Sequence, residues 1–145
     1  MMSKNTKHLN LKAESQEDLS VIAGAVQDSI LRVHGIMYDK KAKSLTLGLQ
    51  RFRRETDKPS RILSGLRFDG VLGVQSTGID KTNSEAFLVL LSCSFKEEAE
   101  GAGQVVFEFA GNGKLKAKVE CLEAMLLDRG EAWPAKSIPD HSTDS

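Results

Sequence analysis

The sequence predicts an α+β fold, mostly antiparallel β, with one N-terminal helix packed on a strongly curved sheet or small barrel of six to eight strands. Three observations predict it. One stretch near the N-terminus has the apolar period of a helix; the chain after it alternates apolar and polar residues in short runs; and Asp-Gly and Gly-Asn-Gly clusters punctuate those runs.

The elements follow in order. Leu9, Leu11 and Ala13 alternate with Asn10 and Lys12, the pattern of a short half-buried strand over 8–13. Ser15 followed by Glu17 and Asp18 is a helix start: the hydroxyl accepts an orphan N–H, and the acids suit the positive end of the helix dipole. Leu19, Ile22, Ala23 and Val26 then form one apolar face, so the helix spans about 15–28. Ile30 to Tyr38 reads as a strand, 39–43 as its polar loop and Ser44 to Phe52 as the return strand. Leu45, Leu47 and Leu49 point one way and Phe52 breaks the phase, as a bulge near Gln50 and Arg51 would.

Residues 54–60 hold no apolar side chain and form an exposed loop. The runs Arg61 to Phe68 and Val71 to Thr77 flank Asp69-Gly70, which favours a tight turn over its rival, one long kinked strand. Residues 78–85 are loop, Ala86 to Phe95 is apolar on both faces and therefore central, and 96–103 is an exposed connection. Gln104 to Ala110 and Lys114 to Cys121 flank Gly111-Asn112-Gly113, a hairpin signal. In the second strand Leu115, Ala117, Val119 and Cys121 face in, while Lys114, Lys116, Lys118 and Glu120 face out. Leu122 to Leu127 fits either a bulged strand extension or a short helix, and in the tail from Gly130 the single Trp133 is expected to pack back.

With 145 residues and no linker-like composition shift, the chain reads as one domain, 1–145, with flexible termini at about 1–7 and 136–145. A chain this long buries roughly 70% of its extended surface and needs no disulfide or metal to hold a core. Charged residues make up 28% of the chain and balance to a net charge of zero, which removes the global positive field that draws proteins to nucleic acid or anionic membrane. Cys93 and Cys121 are far apart with apolar neighbours and read as buried free thiols. The first ten residues lack the apolar core of a secretory signal, and the run Ala86 to Leu91 is far too short to span a membrane, so the expected address is cytoplasmic.

No phosphate-binding glycine fingerprint, nucleophile elbow or metal-ligand spacing occurs in the sequence, and no cofactor is expected. The densest basic segment is Arg51, Arg53 and Arg54 around Phe52, followed by Lys58, Arg61 and Arg67. Arg51, Arg53, Arg54 and Arg61 are the candidate binding residues: guanidinium forks match paired oxygens, and Phe52, on the opposite strand face, would anchor such a patch to the core. The plainer account is a solvated strand end balanced by Glu55 and Asp57. His34 with Asp39, and Glu120 with Glu123 and Asp128, are candidate acid–base groups; a structural histidine and an outer-face pairing of Glu120 with lysines are the plainer accounts.

Several segments, taken together, resemble one family: Leu19 to Asp28, Leu49 to Phe52, Gly65 to Val74 with Gly78-Ile79-Asp80, the Ala110 to Gly113 turn, Val119 to Glu123, and Trp133 with Pro139 and His141. It is the family of small, mainly alphaproteobacterial proteins catalogued as domain of unknown function twenty-nine forty-eight. The resemblance covers nearly the whole chain, with Gln50 standing where the family pattern has Asn. It brings no catalytic residue to carry over, and implies at most a housekeeping context through genes beside that for histidinol dehydrogenase. The functional expectation is a non-catalytic binding or regulatory module for a protein or small-molecule partner, with exposed sheet edges permitting a homodimer. The alternatives are a small enzyme with a site assembled from scattered acids, and anion or nucleic-acid contact through the basic segment 51–67, the latter disfavoured by the zero net charge.

Overall fold

Leu19, Ile22 and Val26 form the buried face of helix α1 (Gln16–Val26), as their spacing requires. The Ser15 hydroxyl accepts the Asp18 N–H at 3.1 Å, and Asp28, at φ 68°, turns the chain out of the helix. The structure, a computed structural model, describes residues 6–136. The flexible termini expected at 1–7 and 136–145 lie almost wholly outside the described residues.

The described residues hold ten strands besides the helix: β1 (Asn10–Ala13), β2 (Ile30–Arg32), β3 (Ile36–Asp39), β4 (Ser44–Phe52), β5 (Ser60–Asp69), β6 (Val71–Thr77), β7 (Phe87–Ala99), β8 (Ala102–Phe109), β9 (Lys114–Val119) and β10 (Ala124–Pro134). They pair antiparallel in the order β1-β10-β5-β4-β2-β7-β8-β9-β6, with β3 on β4 beside β2. The fold is therefore mostly antiparallel β with one helix, but the ten-stranded sheet has a nine-strand path that ends at β1 and β6, with no ladder between them among the described residues. The expected small barrel or strongly curved sheet of six to eight strands is corrected accordingly.

Local chemistry explains the other differences. Asp69-Gly70 is not a hairpin turn: β5 pairs with β4 and β10 while β6 pairs with β9, so 60–77 is one run kinked at Gly70, whose φ is 69°. The opposite run, β9 and β10, is interrupted at 120–123, so the ambiguous segment Leu122 to Leu127 resolves mainly as strand. The stretch 30–38 breaks at a 3-10 turn, Val33–Gly35, because Gly35 crosses so close to Gly48 that a Cβ on it would meet the Gly48 carbonyl at 3.1 Å. No bulge lies near Gln50: β4 stays in register with β5 from Ser44 to Phe52, and Arg51 continues the buried phase of Leu45, Leu47 and Leu49. Most of 96–103 is strand, since β7 and β8 run almost to their turn at Glu100-Gly101. The Gly111-Asn112-Gly113 hairpin forms as its composition predicts, and Trp133 belongs to β10, paired with Arg61.

One apolar cluster takes side chains from α1 and from both halves of the strand path, with Phe68 of β5 edge-on to Phe107 of β8 at 5.4 Å. Cys93 lies in this cluster as expected; Cys121 is exposed, because it follows the end of β9 and the inward phase is lost there. No helix among the described residues is long and apolar enough to cross a membrane.

Candidate functional site

The structure does not gather the four candidate arginines into one surface patch. Arg51 is fully buried, on the core face of β4, and its guanidinium lies between two carboxylates. Its Nε and Nη2 donate to Asp128 Oδ1 and Oδ2 at 3.0 and 2.7 Å, and its Nη1 and Nη2 donate to Glu55 Oε1 and Oε2 at 3.1 and 2.7 Å. Ser64 Oγ donates to Asp128 Oδ1 at 2.6 Å, and the Leu9 N–H donates to Oδ2 at 2.8 Å, which fixes the start of the chain onto β10.

Charge in such a place persists only when every lone pair is met. Burial works against the Asp128 carboxylate, yet its hydrogen bonds from Arg51, Ser64 and Leu9 hold its pKa below the ordinary value. Burial likewise works against Arg51, but Glu55 and Asp128 outweigh it and hold the guanidinium protonated. Glu55 is held low chiefly by its hydrogen bonds from Arg51.

Arg53 lies 3.7 Å from the same Glu55, whereas Arg54 and Arg61 serve the opposite face. Phe52, buried opposite Arg51, is covered by the guanidinium groups of Arg54 and Arg61 at 5.4 and 5.5 Å from its ring centre. Arg54 ties down the chain after α1, donating to Asp28 Oδ2 at 2.5 Å and to the Gln27 carbonyl at 2.7 Å. Arg61 donates to the carbonyls of Gln50 and Asp28 at 3.0 and 3.2 Å, and burial lowers its pKa. Arg53 lies along the loop with Nη1 at 3.3 Å from Ser60 Oγ.

The acid–base candidates are also dispersed. Asp128 is buried, Glu123 is exposed, and Glu120 lies 3.4 Å from Lys43 on the outer surface. His34 sits on the 3-10 turn, 3.7 Å from Glu85 and not beside Asp39, whose carboxylate accepts the N–H groups of Lys41 and Ala42. Among the described residues no group of three or more His, Cys, Asp or Glu could hold a metal ion.

A cleft of about 730 Å³ opens instead on the outer face of β4, β5 and β10. Register explains it: Gly48 lies directly opposite Gly65, so two adjacent outward positions carry no side chain. One flank is Thr46 with Met37 of β3; the other is Gln50 and Leu63, with Arg129 beyond Leu63 on β10. Arg32 and His34 stand at the end of the cleft nearest β2. Arg32 is held by Glu85 at 2.9 Å and lies 4.2 Å over the Phe87 ring. Arg129 is exposed and has no ion pair among the described residues. Sequence reasoning missed this site, although two glycines in otherwise β-forming runs are a readable signal of an open sheet surface.

The chain matches the family described as "Protein of unknown function (DUF2948)" over residues 9–141. The chain belongs to that family. No curated protein and no solved structure matches it. Gln50 lines the cleft, and Gly65 opens one of the segments that carry the resemblance.

Proposed function

We propose that the protein is a non-catalytic binding module, and that its site is the cleft floored by Gly48 and Gly65. The observation that carries this reading is the pairing of an open floor with mixed walls: Met37 and Leu63 offer apolar contact, Gln50 and Thr46 offer hydrogen bonds, and Arg129 offers a positive charge with no ion pair among the described residues. Sites for small molecules combine apolar lining with a few polar groups that fix orientation, in volumes of about 300–1,000 Å³. The ligand class is a flat molecule, or the side chain of a protein partner, carrying an anionic group for Arg129.

Two features favour binding over catalysis. The buried carboxylate of Asp128 is saturated by Arg51, Ser64 and Leu9 and has no free lone pair poised to take a proton near neutral pH, and that of the other buried acid, Asp28, is engaged by Arg54. Arg51, Arg54 and Arg61 each donate to groups inside the fold, which favours the cleft over the basic segment as the binding surface.

Gly65 makes the test clean. A Cβ there meets nothing within 4 Å, and Gly65 lies on the cleft floor, so Gly65→Leu is expected to extend into the cleft on the face away from the core. Native mass spectrometry of the protein isolated from its host is expected to show a bound molecule that is lost in Gly65→Leu and weakened in Arg129→Gln. Retention of the same molecule by a folded Gly65→Leu protein overturns the assignment of the site.

A further inference from the structure

Among the described residues β3 pairs only with β4 and β6 only with β9, so the edges of these two strands stay apart. At one end the gap is bridged by Tyr38, whose hydroxyl donates to the Val71 carbonyl at 3.0 Å. Farther along, a separate pocket of about 300 Å³ remains between the edges. Its inner wall is apolar: Leu115 belongs to the core, and Ile36, Val74 and Ile79 pack half-buried against that core. Its mouth is polar, with Lys81, Ser76 and Ser84.

Charge at the mouth has one sign to spare. Lys81 is exposed and carries no ion pair among the described residues. Its neighbour Asp80 is turned to its own loop, accepting the N–H and hydroxyl of Thr82 at 3.0 and 2.5 Å. Nearby, Glu85 is engaged by Arg32 at 2.9 Å and lies 3.7 Å from the His34 ring. An ammonium group and two hydroxyls above an apolar recess suit a ligand with one anionic end and one short hydrocarbon end.

We infer that the pocket between β3 and β6 binds a short-chain aliphatic carboxylate, its hydrocarbon tail on Ile36, Val74, Ile79 and Leu115 and its carboxylate on Lys81. This site is distinct from the glycine-floored cleft, and neither reading depends on the other. The tail displaces water from apolar wall, and the carboxylate gains a charge-assisted contact that a neutral head cannot make.

The test uses the full chain and three probes with one tail: hexanoate, hexanol and hexylammonium, titrated while methyl resonances are followed by NMR. Hexanoate is expected to saturate with shifts at Ile36, Val74, Ile79 and Leu115, binding at least about tenfold more tightly than hexanol, which corresponds to one factor of 1.4 kcal/mol. Lys81→Gln, an exposed substitution that leaves the core intact, is expected to reduce hexanoate to the level of hexanol and to leave hexanol unchanged. Absence of saturable hexanoate binding, equal binding of all three probes, an acid preference that survives Lys81→Gln, or shifts confined to the cleft residues Met37 and Leu63 would each overturn the proposal. The last outcome would leave the cleft reading standing, so the two fail separately.

Discussion

Arg51 and Asp128 show what one residue pair decides in this fold. Both occupy inward positions of strands whose other inward residues are apolar, so the sheet places opposite charges side by side out of water. Removing Arg51 strands the Asp128 carboxylate, whereas Arg51 without Asp128 still has Glu55. Arg51→Met is therefore expected to lower stability by about 3–5 kcal/mol in urea unfolding, while the Arg51→Met, Asp128→Leu double variant loses less than Arg51→Met, because no unpaired charge is left buried. The same pair sets an acid limit. The folded carboxyl of Asp128 lies below its ordinary 3.8, so the folded state binds fewer protons than the unfolded one. Its contribution is fully present above that ordinary value and is lost as pH falls through the folded pKa, with Glu55 acting in the same direction. Unfolding followed between pH 5 and about 2 is expected to show a steep loss of stability that is shallower in Asp128→Asn. The two thiols give a second contrast. Burial pushes Cys93 up to about 12 whereas Cys121 is exposed, so a thiol reagent at pH 8 is expected to label Cys121 rapidly and Cys93 only on unfolding.

At the scale of elements, most of the fold was legible where alternation was strict. Leu115, Ala117 and Val119 against Lys114, Lys116 and Lys118 defined β9, and Ser15 with the Leu19, Ile22, Val26 face defined the helix. The failures occurred where a residue could serve two geometries. Asp-Gly supports a tight turn, but positive φ at Gly70 equally supports a kink when the strand beyond has a different partner, and partner choice is tertiary. The break in phase at Phe52 suggests a bulge only as long as Arg51 is taken as an outward residue; with Arg51 in the inward set the strand is regular. A charged residue in phase with Leu45, Leu47 and Leu49, and an acid in phase with Ala124 and Leu126, together signal a buried ion pair. Glycine positions test the packing of elements directly. A Cβ at Gly103 would run into the backbone carbonyl of Lys96 on β7, whereas one at Gly65 meets nothing within 4 Å. Gly103→Ala is expected to force β7 and β8 apart and cost about 1–3 kcal/mol, with Gly65→Ala near neutral, as thermal unfolding would show.

For the whole molecule, the decisive feature is that a single apolar cluster spans both halves of the strand path. The first half, β1-β10-β5-β4, contributes Leu45, Leu66, Phe68 and Leu126, and the second, β7-β8-β9-β6, contributes Leu90, Phe107, Leu115 and Val71. Phe68 against Phe107 joins them at the centre, and the runs 60–77 and 114–134 each cross from one half to the other. Neither half can expose its inner face without exposing that of the other, so partial unfolding gains little chain entropy for a large loss of burial. Two-state unfolding follows from that geometry. Trp133, the single tryptophan, reports on β10 beside Arg61 in the first half, while far-ultraviolet circular dichroism reports on all strands together. In a urea titration the two signals are expected to share one midpoint and one slope. Separate midpoints, with Trp133 fluorescence changing before the dichroism, would mean that the first half opens on its own and that the shared core does not bind the two halves into one cooperative unit.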